Sequence, residues 1–113
     1  MPEPCRGEIW FVDLNPVRGH EQAGRRPGLV LSVDLFNQGP AGLVVLLPLT
    51  TRQKGIPFHV EIAPPEGGLA EKSFIKCEDI RSVSKERLSH KLGAVSPETL
   101  TAVEDRLRIL LDL

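Results

Sequence analysis

The sequence predicts a mainly β fold, a small and strongly bent sheet or barrel covered by one C-terminal α-helix. From residue 8 to about residue 95, short apolar segments alternate with Gly, Pro, Asn and Asp, which is typical of several short strands. After residue 96 the apolar spacing becomes that of an amphipathic helix. The chain has 113 residues, 41% hydrophobic and 26% charged, which suits one domain with a core and argues against disorder. We therefore expect residues 1–113 to form a single domain.

Seven short strands are expected along the chain. Residues 8–13 form the first, which the turn signal Asn15-Pro16 ends, and residues 28–33 form the second. Residues 42–50 are apolar on both faces and predict a central strand, in which Pro48 cannot donate to the ladder and weakens the pairing just before Thr50. The remaining strands are residues 58–62, 73–76, 79–84 and 92–95.

One helix of about 16 residues is expected to close the domain. Ser96 is suited to cap its N-terminus, Pro97 to occupy its first position, and Glu98 to complement the positive end of the helix. Apolar residues then recur at intervals of three and four and form one stripe, Leu100, Val103, Leu107 and Leu110.

The charge balance and the apolar runs exclude several classes of protein. Fourteen Lys and Arg against fifteen Asp and Glu give a net charge of −1, so bulk charge alone would not hold nucleic acid. The longest apolar run, residues 43–49, is far shorter than the roughly 20 residues that span a membrane. The first residues do not resemble a signal peptide, and we expect a soluble cytoplasmic domain.

The motifs of most familiar enzymes and metal sites are also missing. Cys5 and Cys77 are too few for a disulfide framework, and His20, His59 and His90 have no neighbouring His or Cys at ligand spacing. The sequence contains no glycine-rich phosphate loop, Gly-x-Ser-x-Gly elbow or dinucleotide fingerprint. We expect no metal and no cofactor.

Two polar segments carry the chemistry that remains. Residues 16–27 hold Glu21, His20 and three arginines, of which Arg26 is the most constrained because Pro27 restricts it to extended geometry. Arginine matches phosphate oxygens with two parallel hydrogen bonds. In residues 47–55, Thr50 and Thr51 end the most buried strand before a cationic loop. The alternative for the first segment is a solvated surface loop, and for the second an ordinary turn whose hydroxyls bond local backbone.

Taken together, these segments resemble the MazF/PemK family of toxin endoribonucleases. The resemblance rests on RGEIW at 6–10, DLNP at 13–16, GHEQAGRRP at 19–27, LVLS at 29–32, PLTT at 48–51 and KGIPF at 54–58. It covers nearly the whole chain in order. It implies an SH3-like barrel, a homodimer, metal-independent cleavage of single-stranded RNA, and inhibition by a cognate acidic, MazE-like antitoxin.

By this resemblance Arg26 and Thr50 match the principal catalytic positions. The implied route is attack of the RNA 2′-hydroxyl on the adjacent phosphate, which gives 2′,3′-cyclic phosphate and 5′-hydroxyl ends. Arg26 is suited to neutralise the charge that develops, and Thr50 to hydrogen-bond it. Glu21 is the more orthodox general base. His20 stands where the family usually has serine and is either a bystander or a titrating group near the scissile phosphate, which makes it only an outside candidate for the base.

Substrate binding is expected from polar residues that flank the two signature loops. The chain has one Trp, four Phe and no Tyr, so we do not expect an extended aromatic platform on which bases stack. We expect hydrogen bonds to the edges of unpaired bases to do most of the reading. These residues are His20, Gln22, Arg25, Ser32, Asn37, Gln38, Thr51, Gln53, Lys54 and Arg81.

Two other functions fit the same fold. One is a non-catalytic SH3-like binding module, which would be favoured if Arg26 and Thr50 pointed away from each other or were buried in structural contacts. The other is a gyrase-poisoning toxin, which shares this fold and relies on a Trp-Gly-Ile tail. Here the chain ends in ILLDL instead, and it carries the loop of the ribonucleases.

A charge difference between two regions favours an acidic partner. Residues 71–91 carry six basic and four acidic residues, whereas residues 97–113 carry two basic and four acidic ones. Basic loops along the groove of a dimer would attract an RNA backbone, and equally a disordered acidic tail that competes with RNA.

Overall fold

The structure, a computed structural model, describes residues 3–16, 19–20 and 22–113. The strands are β1 (Glu8–Asp13), β2 (Arg25–Val30), β3 (Leu43–Thr50), β4 (His59–Ile62), β5 (Ser73–Lys76), β6 (Arg81–Ser84) and β7 (Leu88–Ala94). The α-helices are α1 (Asp34–Asn37) and α2 (Pro97–Leu111), and the 3₁₀ turns are Glu66–Gly68, Cys77–Asp79 and Lys85–Arg87. The prediction of a mainly β fold with one long C-terminal helix is confirmed.

The strands form an antiparallel sheet in the order β4-β5-β3-β2-β1-β7, with β6 also paired to β3. One edge of β3 pairs with β2, and the other edge changes partner along its length. Leu43 to Leu46 face β6, whereas Leu49 and Thr50 face β5. Pro48 lies in the gap between these two ladders, as expected from its missing N–H group. The change of partner brings Thr50 to the end of β3 beside β5.

Both faces of the central strands are buried, as the apolar third strand predicted. One core cluster includes Leu47 and Leu49 of β3, and a second includes Val44 and Leu46 of the same strand. Alternate side chains of a strand point to opposite faces. The sheet therefore packs on both sides, and its functional groups are confined to strand ends and to the more exposed outer strands.

Helix α2 covers the first of these clusters. Val103 is fully buried, and Leu107 packs against the cluster from the same stripe. The side chain of Ser96 accepts a hydrogen bond from the backbone N–H of Thr99 at 3.2 Å, which confirms Ser96 as the N-cap. Pro97 occupies the first helical position.

Some element boundaries differ from the expectation. Strand β2 begins at Arg25 and not at residue 28, because residues 25–27 pair with residues 11–13 of β1. It ends at Val30, and residues 34–37 turn into α1. Residues 77–79 form a 3₁₀ turn, and β7 begins four residues earlier than expected, at Leu88. In the described part of the chain no helix is long and apolar enough to cross a membrane.

Candidate functional site

A cleft of about 500 Å³ joins the two segments that the sequence singled out. We call it the Arg26–Thr50 cleft. Strand β2 contributes Arg25 to Pro27, and the end of β3 contributes Leu49 to Thr51. The remaining walls come from β1, β7 and the segment before β5, through Phe11, Gly68, Leu69, Ala70, Glu71, Ser73, His90 and Leu92. Arg26 and Thr50 therefore face the same space.

Arg26 lies on β2 opposite Val12 of β1, and its side chain is half-buried at the cleft. Its Nε donates a hydrogen bond to the carbonyl of Ala23 at 2.7 Å, which fixes the direction of the guanidinium. Burial lowers the pKa of Arg26 from its ordinary value, and the nearby charge of Arg52 lowers it further. The group remains a cation at neutral pH and can donate charge-assisted hydrogen bonds.

Thr50 is 6% exposed at the end of β3. Its Oγ1 accepts a hydrogen bond from the backbone N–H of Arg52 at 3.2 Å. Thr50 therefore makes the local backbone hydrogen bond that was considered as an alternative. Because its hydroxyl accepts in that bond, the hydroxyl proton remains available to donate. An oriented hydroxyl can still donate to an oxygen that develops negative charge in the cleft.

An aromatic pair that the sequence did not indicate forms part of the cleft wall. Phe11 of β1 and His90 of β7 face each other across the two strands, and their ring centroids lie 5.5 Å apart at an interplanar angle of 24°. Phe11 and Arg25 also line a second cleft of about 560 Å³ with Asp13 and Arg87, so the two clefts adjoin. An extended ligand could occupy both.

Gln22 and Arg81 lie in a largely buried network, the Asp79 cluster, which consists of Gln22, Lys76, Asp79 and Arg81. Asp79 accepts hydrogen bonds from the backbone N–H of Gln22 at 2.9 Å and from Arg81 at 2.7 Å. Lys76 donates to the side chain of Gln22 at 3.0 Å, and Arg81 donates to its backbone carbonyl. These contacts fasten the loop before β2 to β5 and to the start of β6.

The structure brings some of the other expected binding residues to the cleft and leaves others apart. Arg25 and Thr51 line it. Gln53 and Lys54 line a separate cavity of about 190 Å³ after the end of β3. Ser32 and the fully buried Asn37 bond to each other, and His20 and Gln38 are exposed elsewhere. Glu21 lies outside the described residues. The substrate-binding roles of all of these residues stay predictions.

No cluster of three or more His, Cys, Asp or Glu side chains suited to a metal ion occurs within residues 3–16, 19–20 and 22–113. Among the described residues, the charged groups that line the cleft are two guanidinium groups, Arg25 and Arg26, and one carboxylate, Glu71. Such an arrangement can hold a phosphate and stabilise extra negative charge on it.

Comparison with known proteins places this site in context. The sequence profile described as "PemK-like, MazF-like toxin of type II toxin-antitoxin system" matches residues 5–111. The endoribonuclease EndoA of Bacillus subtilis is 37% identical over 109 residues, which cover 96% of this chain and 94% of that protein.

Solved structures agree with this match. The crystal structure of MazF from Deinococcus radiodurans superposes with a TM-score of 0.90 at 32% identity and full coverage of both chains. A mycobacterial endoribonuclease in complex with its cognate antitoxin has a TM-score of 0.80 at 28% identity, covering 97% of this chain and 96% of that one.

Proposed function

Since the chain belongs to the PemK-like, MazF-like toxin family of type II toxin–antitoxin systems, we propose that it is an endoribonuclease that cuts single-stranded RNA in the Arg26–Thr50 cleft. The observation that carries this proposal is the convergence of a half-buried guanidinium and an oriented hydroxyl on one cleft. Arg26 and Thr50 line one cleft and do not point away from each other, which removes one of the two conditions that would favour a non-catalytic binding module.

The chemistry follows from what these two groups do well. RNA breaks when its own 2′-hydroxyl attacks the adjacent phosphate, and negative charge then grows on the non-bridging oxygens and on the leaving 5′ oxygen. Arg26 offers charge-assisted hydrogen bonds to the non-bridging oxygens, and Thr50 donates a further one. The products are a 2′,3′-cyclic phosphate and a 5′-hydroxyl end, and no step requires a metal ion.

We further propose that the enzyme selects its cleavage sequence through polar groups around the cleft. The adjoining cleft with Arg25 and Arg87 supports a path for nucleotides on one side of the scissile phosphate. The cavity with Gln53, Lys54 and Phe74 supports recognition of a base edge or ring on the side of β3.

The active form is proposed to be a homodimer that an acidic antitoxin inhibits. Large apolar side chains are exposed on and next to α1 and at the end of α2, namely Val33, Leu35, Phe36, Ile109, Leu111 and Leu113, which supports contact with a second copy. Light scattering should give about 25 kDa, twice the chain mass of 12.4 kDa. A monomer that cuts RNA at full rate would contradict this part of the proposal.

The site assignment is tested by Arg26→Ala and Thr50→Ala. Each variant should lose about 10²–10³-fold in cleavage rate, because each removes one preorganised donor to the transition state. Arg108→Ala and Thr101→Ala are matched controls, since both residues are exposed on α2. Thermal melting should show that all four variants remain folded.

The reaction type is tested with a long RNA in the presence of EDTA. Cleavage should continue, and the new 5′ ends should accept label directly from polynucleotide kinase because they carry a hydroxyl. A strict magnesium requirement, or 5′-phosphate ends, would refute attack by the 2′-hydroxyl. Full activity in both folded site variants would refute the assignment of Arg26 and Thr50.

A further inference from the structure

The cleft holds a titratable side chain that neither signature loop contributes. His90 lies on β7 opposite Phe11 of β1, and both rings line the Arg26–Thr50 cleft. The ring of His90 stacks on Phe11, so its plane is held, while the side chain remains exposed to solvent. An imidazole that is held in the same cleft as the Arg26 guanidinium is positioned for proton transfer to or from a group bound there.

The hydrogen bonds around His90 favour one tautomer. Ser89 Oγ lies 2.9 Å from His90 Nδ1 and 3.3 Å from the backbone carbonyl of Phe11. The hydroxyl has only one proton, and a carbonyl can only accept, so both contacts are satisfied when Ser89 donates to Phe11. His90 Nδ1–H then donates to Ser89. In this tautomer Nε2 carries no proton and has a free lone pair.

We propose that His90 is the general base of the reaction, an inference that rests on the proposed ribonuclease function. Nε2 takes the proton of the 2′-hydroxyl while the 2′ oxygen forms its bond to phosphorus. The bond from phosphorus to the 5′ oxygen breaks, and that oxygen keeps the electron pair and takes a proton from water. The imidazolium then returns its proton to solvent, so the enzyme ends the cycle unchanged.

The groups around His90 are consistent with this role. Strand β2 presents Arg25 and Arg26 to the cleft, the segment before β5 presents Glu71, and β1 presents the uncharged Phe11. The next residue on β7, Lys91, is paired with Glu8 at 2.8 Å. Ser89 accepts a hydrogen bond from His90 Nδ1–H in both protonation states of His90 and therefore keeps the ring oriented.

Two substitutions separate proton transfer from ring stacking. His90→Phe retains an aromatic ring against Phe11 but cannot take a proton, and His90→Ala removes both. Each should lower the cleavage rate about 10²-fold or more, which is the usual contribution of a general base. The substrate is a synthetic oligonucleotide that spans a site first mapped on long RNA. If His90→Phe keeps full activity, His90 only stacks and the proposal is wrong.

Chemical rescue gives the decisive readout. Added imidazole should raise the rate of His90→Ala severalfold, and more strongly as pH rises from about 6 to 8, because only neutral imidazole is a base. The same imidazole should leave Arg26→Ala and the unmodified enzyme unchanged. Absence of rescue in a folded His90→Ala protein would overturn the proposal.

A comparison with Glu21→Gln tests whether the general base is Glu21, which the sequence favoured, or His90. If His90 is the base, the cleavage rates of the unmodified enzyme and of Glu21→Gln should both fall at acid pH, whereas the rate of His90→Phe should not. The reverse result would assign the base to Glu21. Should the unmodified protein leave no 5′-hydroxyl ends on RNA, the proposed function itself fails, and this outcome is distinct from the failure of His90 alone.

Discussion

Asp79→Ala should destabilise the protein more than any substitution of a surface ion pair. Asp79 is 15% exposed in its side chain and accepts hydrogen bonds from Gln22 N–H and Arg81, with Lys76 Nζ 3.8 Å away. Its removal leaves two largely buried cations without their counter-charge. Breaking a buried pair costs about 3–5 kcal/mol, and because Asp79 keeps some contact with water we expect about 2–4 kcal/mol.

The assay is urea unfolding at pH 7, with thermal melting as a second measurement. A loss of this size should lower Tm by roughly 8–16 °C in a domain of this length. Asp105→Ala is the matched control, since Asp105 and its partner Arg108 are both more than half exposed, and an exposed pair contributes about 0.5 kcal/mol or less.

The same substitution should lower RNA cleavage, because Asp79 holds the loop whose Ala23 carbonyl orients Arg26. The unfolding and cleavage measurements together test whether the Asp79 cluster holds this loop in place. If Asp79→Ala changes the free energy of unfolding by no more than about 0.5 kcal/mol, the reasoning is refuted, because an exposed ion pair contributes as much.

Three further predictions concern stability and reactivity. Burial, the largest influence, raises the pKa of Glu66, but hydrogen bonds from Thr99 and Ser96 outweigh it and leave the pKa below its ordinary value. A carboxylate whose pKa is lower in the folded than in the unfolded protein stabilises the fold at a pH above its unfolded pKa. This contribution is lost as the pH falls through the pKa of the folded state. Glu66→Gln should therefore lower the free energy of unfolding at pH 7 and much less at pH 3, as measured by urea titration. A difference that does not change with pH would contradict this. Gly93→Ala should cost at least about 2 kcal/mol, because its Cβ would lie 2.5 Å from the carbonyl carbon of Gly67, and an unchanged Tm would be inconsistent with that contact. Burial raises the pKa of Cys77 to about 12, so iodoacetamide at pH 8 should modify it only in urea, as mass spectrometry can check. Rapid modification of Cys77 in the folded protein would show that it is accessible.

The sequence was sufficient where a single segment carries its own signal. The third strand is apolar on both faces and is buried on both faces, and Pro48 marks the place where its partner changes. Arg26 precedes one apolar strand and Thr50 ends another, but these segments alone also allowed a solvated loop and an ordinary turn, and the family resemblance supplied the catalytic roles of both residues. Both line the same cleft.

What the sequence could not supply depends on pairing between distant strands. His90 faces Phe11 only because β7 reaches back to Leu88 and pairs with β1 through two register shifts. No local pattern announces a contact between residues that are far apart in the chain. The strand predicted over residues 92–95 did not reach His90, whereas β7 begins at Leu88.

Residue type alone also does not show which partners a polar side chain has within the fold. Asn37 was expected to read a base, and in the structure it is fully buried and donates to the carbonyls of Pro4 and Ser32. Gln22 and Arg81 were expected at the substrate, and they bond within the Asp79 cluster. These partners come from segments that the sequence does not show to be adjacent.

The most direct test of the central claim uses an oligonucleotide with a single 2′-deoxy substitution at the nucleotide before the mapped cut. If the Arg26–Thr50 cleft promotes attack by the 2′-hydroxyl, this substrate should bind but remain uncut, while the all-RNA control is cleaved to a 5′-hydroxyl product. Cleavage of the substituted oligonucleotide at the rate of the control would show that water is the nucleophile and would contradict the account.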